Sequence, residues 1–341
     1  VQHIWRAFAV QRRGFPAWSR AARPPGSGSC GLDFSDHWRC QSITMHNHIT
    51  ESCAVVGGDM RIAKAAGLLA ESGFEVKVFG LDNGIELGSA IKRASNVEEA
   101  VVESRFVLLP IPLSQDSLTI TAPLSCQPVY LHELFSAAGP GQLLLGGMVT
   151  PALAQKAREK GLKLIDYYKR EELIVRNAIP TAEGAIQIAM AETTVTLHGA
   201  KCLLTGFGRV SRVLAAKLAA LGAKVTVASR RVSDSAWCDV YGYRHGNIAC
   251  LADAAAKADV VFNSVPALLF DRPVLKKMKR DTVIVDLASK PGGVDYPAAE
   301  ELGVKSILAL SLPGKVAPAT AGAIIKDAVM NILEEETPCQ S

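Results

Sequence analysis

The chain has 341 residues, 49% hydrophobic and 21% charged, with a formal net charge of +4. That length suits two domains, and that apolar content supports a sizeable core without disulfide or metal staples. The modest charge forms no basic stripe interleaved with aromatics, and no apolar run reaches bilayer length, which argues against nucleic acid or a membrane as partner.

Residues 1–44 differ from the rest. They hold six arginines, two acids and three of the four tryptophans, around Pro24-Pro25-Gly26-Ser27-Gly28-Ser29. An Arg-rich, acid-poor leader is one reading. The preferred reading is a disordered extension upstream of a true start at Met45, because the segment has no amphipathic helical period.

From there strands and helices alternate, the pattern of a parallel sheet. A strand over 53–58 (CAVVGG) precedes a helix over 62–72, stopped by Gly73, and a second strand over 75–80. Further strands are expected at 106–110, 142–146 and 162–166, with a helix over 151–160. Asp59 and Arg61 fall just beyond the first strand, where strand carboxyl ends form a crevice. A local Asp–Arg turn bond is the other reading of that pair. Residues 171–176 then lead through Asn177-Ala178-Ile179-Pro180 into a long helix that Thr181 could cap and that ends near Leu197. Glu183 falls in its first turn, where the helix dipole favours an acid.

Residues 201–231, KCLLTGFGRVSRVLAAKLAALGAKVTVASRR, read as strand, glycine turn, helix, strand. Val210, Val213, Leu214, Leu218 and Leu221 keep helical spacing up to Gly222. Gly206 allows the turn. Gly208 lets backbone approach a pyrophosphate seated on the helix N-terminus, with Phe207, Arg209 and Val210 around it. Ser211 stands where the usual fingerprint has a third glycine. An NAD site ends the second strand on an acid that accepts from the ribose. Here that place holds Ser229, Arg230 and Arg231. Arginine forks pair with phosphate, so NADP is expected and NAD disfavoured.

Helices are next expected over 233–241 and 251–257, and strands at 243–245, 260–263, 282–287 and 305–310. A C-terminal helix over 319–334 should pack back on the first domain. The fold class is α/β, two doubly wound Rossmann-like domains, the second binding the dinucleotide. The expected division is 1–44 (extension), 45–178 (substrate or partner domain), 179–317 (NADP domain, opening with a helix over 180–197) and 318–341 (returning helix). In such sheets the loops at strand carboxyl ends face the cofactor. Val265 and Pro266 lie in one such loop, and Ala288, Ser289 and Lys290 in the next. Leu312-Pro313-Gly314-Lys315 is read as opening the last helix, whose N-terminus favours an anion. Lys290 and Lys315 are therefore candidates to hold the carboxylates of a small acid. His198 and His245 are read as structural, and no zinc helix or serine elbow is present. Eight scattered cysteines without a Cys-x-x-Cys pair suit a reducing cytoplasm and give no metal site.

Together GGDMR (57–61), LPIPLSQD (109–116), NAIPTAEGAI (177–186), TGFGRV (205–210), DLASKPGGVD (286–295) and LPGKVAPATAG (312–322) resemble the dipicolinate synthase A-subunit family, over about residues 52–335. The resemblance implies an architecture similar to the hydroxyacid dehydrogenases and a partner, the flavoprotein-like B subunit of dipicolinate synthase. The implied substrate is a small dicarboxylic acid, dihydrodipicolinate or its hydroxylated tetrahydro precursor, converted to dipicolinate in the cytoplasm of a sporulating mother cell. On that reading NADP accepts the hydride, and Arg61, Lys315 and Ser289 bind substrate with Lys290 clamping a carboxylate. Glu183 takes the proton, with Asp59 as the alternative. A homo-oligomer is expected. Two rivals stay open: an NADP-dependent 2-hydroxyacid-type dehydrogenase acting alone, and a non-catalytic NADP-binding scaffold protein.

Overall fold

The computed structural model describes residues 51–84 and 86–337. The expectations for 1–44 and for a start at Met45 lie outside them. In the first lobe, β1 (Ser52–Val56), α1 (Met60–Glu71), β2 (Glu75–Phe79), β3 (Ile91–Arg93), α2 (Val97–Val101) and β4 (Phe106–Leu108) come first. They are followed by β5 (Thr119–Ile120), β6 (Val129–Tyr130), α3 (Leu131–Ala137), β7 (Leu143–Gly146), α4 (Pro151–Glu159) and β8 (Lys163–Asp166). Helix α5 (Glu171–Glu192) leads to the second lobe. There β9 (Lys201–Thr205), α6 (Arg209–Ala220), β10 (Lys224–Ser229), α7 (Val232–Tyr241), β11 (Arg244–Asn247) and α8 (Leu251–Ala255) are followed by β12 (Val260–Asn263) and α9 (Arg272–Lys277). Last come β13 (Val283–Asp286), α10 (Tyr296–Leu302), β14 (Lys305–Leu308), α11 (Leu312–Val316) and α12 (Pro318–Glu336).

The central strands are short apolar runs, VVFN and VIVD among them, with every residue buried. Strands of that kind need cover on both faces, which parallel sheets receive from their crossover helices. Each lobe accordingly has a six-stranded parallel sheet. The orders are β3-β2-β1-β4-β7-β8 and β11-β10-β9-β12-β13-β14. Numbered within its own six strands, each sheet runs 3-2-1-4-5-6, the doubly wound order of dinucleotide-binding folds, and β5 and β6 form a separate two-stranded pair. The order reverses between β1 and β4 in one lobe and between β9 and β12 in the other. A ligand crevice opens beyond the strand ends at such a reversal.

Two helices join the lobes. Leu173 at the start of α5 is buried in the first core, whereas Ala182, Ala185 and Ala189 farther along it are buried in the second. Helix α12 returns to the first lobe as expected. Its Ile324, Ile325, Ala328, Val329, Ile332 and Leu333 share a core with Ile62, Ala65, Ala66 and Leu69 of α1. Gly322 makes the close crossing possible: a Cβ there would sit 2.7 Å from the Arg61 carbonyl oxygen and 2.7 Å from Lys64 Cβ.

Two expectations need correction beyond small shifts of element ends. The helix expected to start near Thr181 begins ten residues earlier, at Glu171, and runs through Pro180 to Glu192. A proline inside a helix removes one backbone bond, which made it read as a boundary. Burial of Pro180 against the core holds the helix together across it. Thr181 does not cap; its hydroxyl donates back to the Asn177 carbonyl at 2.7 Å, within the helix. The second correction concerns Leu312-Pro313-Gly314-Lys315. These residues form the separate short helix α11, which is followed by Ala317 at φ −145°, and α12 starts only at Pro318. The edge strand β3 has one buried residue in three, too little for a period to be read.

Candidate functional site

The glycine turn closes between β9 and α6. Gly206 takes φ +77°, and a Cβ on it would lie 2.9 Å from Val265 Cγ2, so this residue admits no side chain. Gly208 is the N-cap of α6, and no side chain caps that helix. A Cβ on Gly208 would meet nothing within 4 Å. The N-terminus of a twelve-residue helix thus faces open space with its first N–H groups unpaired by side chains. That is the cradle a pyrophosphate needs, so the residues fit a dinucleotide.

The turn is braced from both sides. Phe207 is buried and packs edge-on against Tyr241 and Tyr243, so it offers a ligand backbone rather than ring. Arg212 donates to the Phe207 carbonyl at 3.1 Å and lies over the Phe207 and Trp237 rings, 5.6 and 5.0 Å from their centroids. Ser211, in the third-glycine position, is buried, and its hydroxyl lies 2.9 Å from that of Ser264. Ser264 also donates to the Thr205 carbonyl at 2.9 Å. The serine therefore ties α6 to the loop after β12, at the place where glycine would only allow close packing. Arg209, the first residue of α6, forms a two-pronged pair with Glu171 of α5 at 2.6 and 2.7 Å. Val210 is half-buried in the same first turn.

Ser229 is buried at the end of β10, and Arg230 and Arg231 are exposed just past it. They stand beside the Gly206 turn because β10 pairs with β9, with Ala228 opposite Thr205. Val265 is half-buried and Pro266 exposed beyond β12. Beyond β13, Ala288 is buried while Ser289 and Lys290 are exposed. Because β12 pairs with both β9 and β13, the Gly206, Val265 and Ala288 loops emerge side by side.

In the first lobe Asp59 and Arg61 stand at the reversal beside β1. Asp59 caps α1 by accepting from the Arg61 N–H at 3.0 Å. Its carboxylate also accepts from Arg61 Nε at 3.0 and 3.1 Å and from Nη2 at 2.7 Å. Arg61 Nη2 donates further to the Ile111 carbonyl at 2.7 Å. The local Asp–Arg bond is thus present, and Arg61 is 8% exposed. Nη1 is the one guanidinium nitrogen outside these bonds. Gly314 of α11 presses on the same group: a Cβ there would lie 3.0 Å from Arg61 Nε. Arg61 and the half-buried to exposed stretch at Gly314 and Lys315 are therefore brought together where the lobes meet.

Glu183 is the site candidate most displaced from expectation. It lies in the middle of α5, outside the first turn, and pairs with Lys217 of α6 at 2.8 Å. Lys217 is eight residues beyond Arg209, or about 12 Å along the helix from the glycine turn at 1.5 Å per residue. Because α5 starts at Glu171 and not near Thr181, Glu183 falls beyond its first turn. Sequence reasoning also missed Thr205, Asn263, Asp286 and the half-buried Tyr296, which form a polar network at the ends of β9, β12 and β13. The available signal was a polar residue closing each of three apolar strands. Among the described residues no group of His, Cys, Asp and Glu could hold a metal, and no helix is long and apolar enough to cross a membrane.

An uncapped helix and glycine turn at the reversal of a doubly wound parallel sheet define a dinucleotide-binding protein of the Rossmann kind. Residues 152–293 match the D-isomer specific 2-hydroxyacid dehydrogenase, NAD binding domain family, and residues 52–168 match the N-terminal domain of the dipicolinate synthase A-subunit family. The dipicolinate synthase A-subunit of Bacillus subtilis (strain 168) is 30% identical over 284 residues, 83% of this chain and 95% of that protein. The crystal structure of the dipicolinate synthase A-subunit from Bacillus halodurans superposes with a TM-score of 0.78 at 30% identity, covering 85% of this chain and 99% of that one. That of the Bacillus subtilis protein gives 0.76 at 29% identity, over 84% and 96%. The chain belongs to the dipicolinate synthase A-subunit family.

Proposed function

We propose that this chain catalyses the NADP-linked oxidation of dihydrodipicolinate, or of its hydroxylated tetrahydro precursor, to dipicolinate, together with the flavoprotein-like B subunit of the synthase. The observation that carries the choice of NADP is the end of β10, where Arg230 and Arg231 stand exposed beside the glycine turn. A 2′-phosphate fits two guanidinium forks there. Bound at that turn, NADP supplies a two-electron hydride acceptor. Aromatising a dihydropyridine ring removes one hydride and one proton, so oxidation of dihydrodipicolinate by NADP balances with no other reactant; the hydroxylated tetrahydro precursor first loses its hydroxyl as water.

The rest falls to the chain's own side chains. Backbone N–H groups of Gly208, Arg209 and Val210 hold the pyrophosphate, and Val265, Pro266 and Ala288 border the nicotinamide. The substrate has two carboxylates and needs two cationic partners. Exposed Lys290, beside Ser289, takes one; Lys315, with Nη1 of Arg61, takes the other. Asp59 receives the ring proton, and the Arg61 bonds hold its carboxylate in place at the start of α1. Glu183, tied to Lys217, has no part in this scheme.

The reaction is followed by the near-ultraviolet absorbance of reduced nicotinamide and by dipicolinate release, with the chain, its cognate flavoprotein-like partner, NADP and fresh dihydrodipicolinate. One NADPH per dipicolinate is expected. Dipicolinate formed with NADP left oxidised would overturn the proposal.

A further inference from the structure

Asp286 closes β13 and is fully buried. Its Oδ1 accepts from Asn263 Nδ2 at 2.8 Å and from the Ala288 N–H at 3.1 Å. Its Oδ2 accepts from the Gly293 N–H at 2.7 Å and from the Tyr296 phenol at 2.8 Å. Four donors converge on one carboxyl group, two on each oxygen. All four are backbone amides or neutral side chains. Asn263, also buried, carries the network onward. It accepts from the Thr205 hydroxyl and the Val265 N–H, and donates to the Val265 carbonyl at 3.1 Å. The ends of β9, β12 and β13 are thereby tied to one another.

The glycines of the Lys290-Pro291-Gly292-Gly293 loop are shaped to this network. A Cβ on Gly292 would lie 2.6 Å from Asp286 Oδ2, and one on Gly293 would lie 2.3 Å from Asn263 Nδ2. The Gly293 carbonyl in turn accepts from the Leu269 and Phe270 N–H groups at 3.0 Å, which bridges the loops after β12 and β13. A well-packed apolar residue serves stability at a strand end as well as a buried charge does. What the carboxylate adds is a single conformation for two loops.

We propose that Asp286 is a positioning residue: with Asn263 and Tyr296 it sets the loops at 264–267 and 287–293 in the one geometry that aligns nicotinamide and substrate. This rests on the reading that those loops border the nicotinamide. Burial, and then the bond to Asp286, push the Tyr296 phenol above its ordinary range, so it stays a donor at neutral pH.

Asp286→Asn turns two of the four converging donors against an amide N–H₂. Tyr296→Phe removes one donor from a half-buried site and keeps the test open should the first variant fold poorly. Each is compared with the wild type for NADPH affinity, emission of the bound dihydronicotinamide, melting temperature, kcat and KM. The pyrophosphate and 2′-phosphate contacts lie away from Asp286, so NADPH affinity should change less than about threefold. Emission should move toward that of free NADPH, and kcat should fall about tenfold in Tyr296→Phe and about a hundredfold in Asp286→Asn, the scale of misalignment near an ångström. Unchanged emission and kcat in folded Tyr296→Phe would overturn the proposal. So would losses that only track the melting temperature. A wild type that binds no NADPH would instead bring down the cofactor reading and this inference with it.

Discussion

In the proposed function Arg230 and Arg231 select NADP over NAD, and that choice can be measured. Each charge-assisted bond to a phosphate is worth about 1.5–3 kcal/mol, so Arg230→Ala with Arg231→Ala should weaken NADP binding about tenfold or more. Binding of NAD, which lacks the 2′-phosphate, should barely change in the same calorimetric titration. Equal loss for both dinucleotides would remove these arginines from the phosphate site. The buried thiols give a second prediction. Burial pushes Cys53 and Cys202 up to about 12 from an ordinary 9.0, so the folded state keeps protons that the unfolded chain releases. Stability is therefore complete below pH 9.0 and falls as the pH rises toward 12. Denaturation midpoints on either side of pH 9.0 should show the decline, and it should be shallower in a Cys53→Ala, Cys202→Ala protein. Of the described cysteines, the exposed Cys126 and Cys250 should react with a thiol reagent in the native state while the buried three do not. At this scale the sequence revealed the residues whose backbone matters, Gly206 and Gly208, because their requirement is local. Side-chain partners were hidden. Lys217 beside Glu183, and Asn263 beside Asp286, are set by how helices and strands meet across 34 and 23 residues of chain.

Helix α1 separates two meanings of glycine. Gly67 lies inside it with nothing within 4 Å of an added Cβ. Gly67→Ala should therefore stabilise the protein by about 0.5–1 kcal/mol through helix propensity and loss of unfolded-state freedom. A Cβ on Gly322 of α12 would lie 2.7 Å from the same helix, and Gly322→Ala should destabilise by about 1–3 kcal/mol as an overpacked contact. Thermal or urea unfolding of the two variants should shift in opposite directions; a shift in the same direction would contradict the packing described for α1 and α12. Elements were legible where one residue type dominates a run: Val260–Asn263 is expected and found without a change of limits. They were illegible where tertiary packing overrules a local rule. Pro180 reads as a helix boundary and is a buried interior residue of α5, and a three-residue edge strand such as β3 carries no period.

The whole molecule repeats one strand order in two lobes, so two reversal crevices are available, one at Gly57–Arg61 and one at Gly206–Gly208. The lobes differ in what faces those crevices. The helix of the first is capped by Asp59, whose carboxylate already occupies the helix end with Arg61. The helix of the second has no side-chain cap and opens onto empty space. The uncapped helix end of the second lobe is therefore the one that suits a dinucleotide phosphate. The architecture was readable because alternating strands and helices admit few topologies. The joint at Arg61, Gly314 and Gly322 was not, since it brings together segments more than 250 residues apart. A crystal structure of the full chain with NADPH tests this account most directly. It should show the pyrophosphate on the N–H groups opening α6, the 2′-phosphate between Arg230 and Arg231, and the nicotinamide against the loops after β12 and β13. Dinucleotide bound instead at Gly57–Arg61 of the first lobe would contradict it.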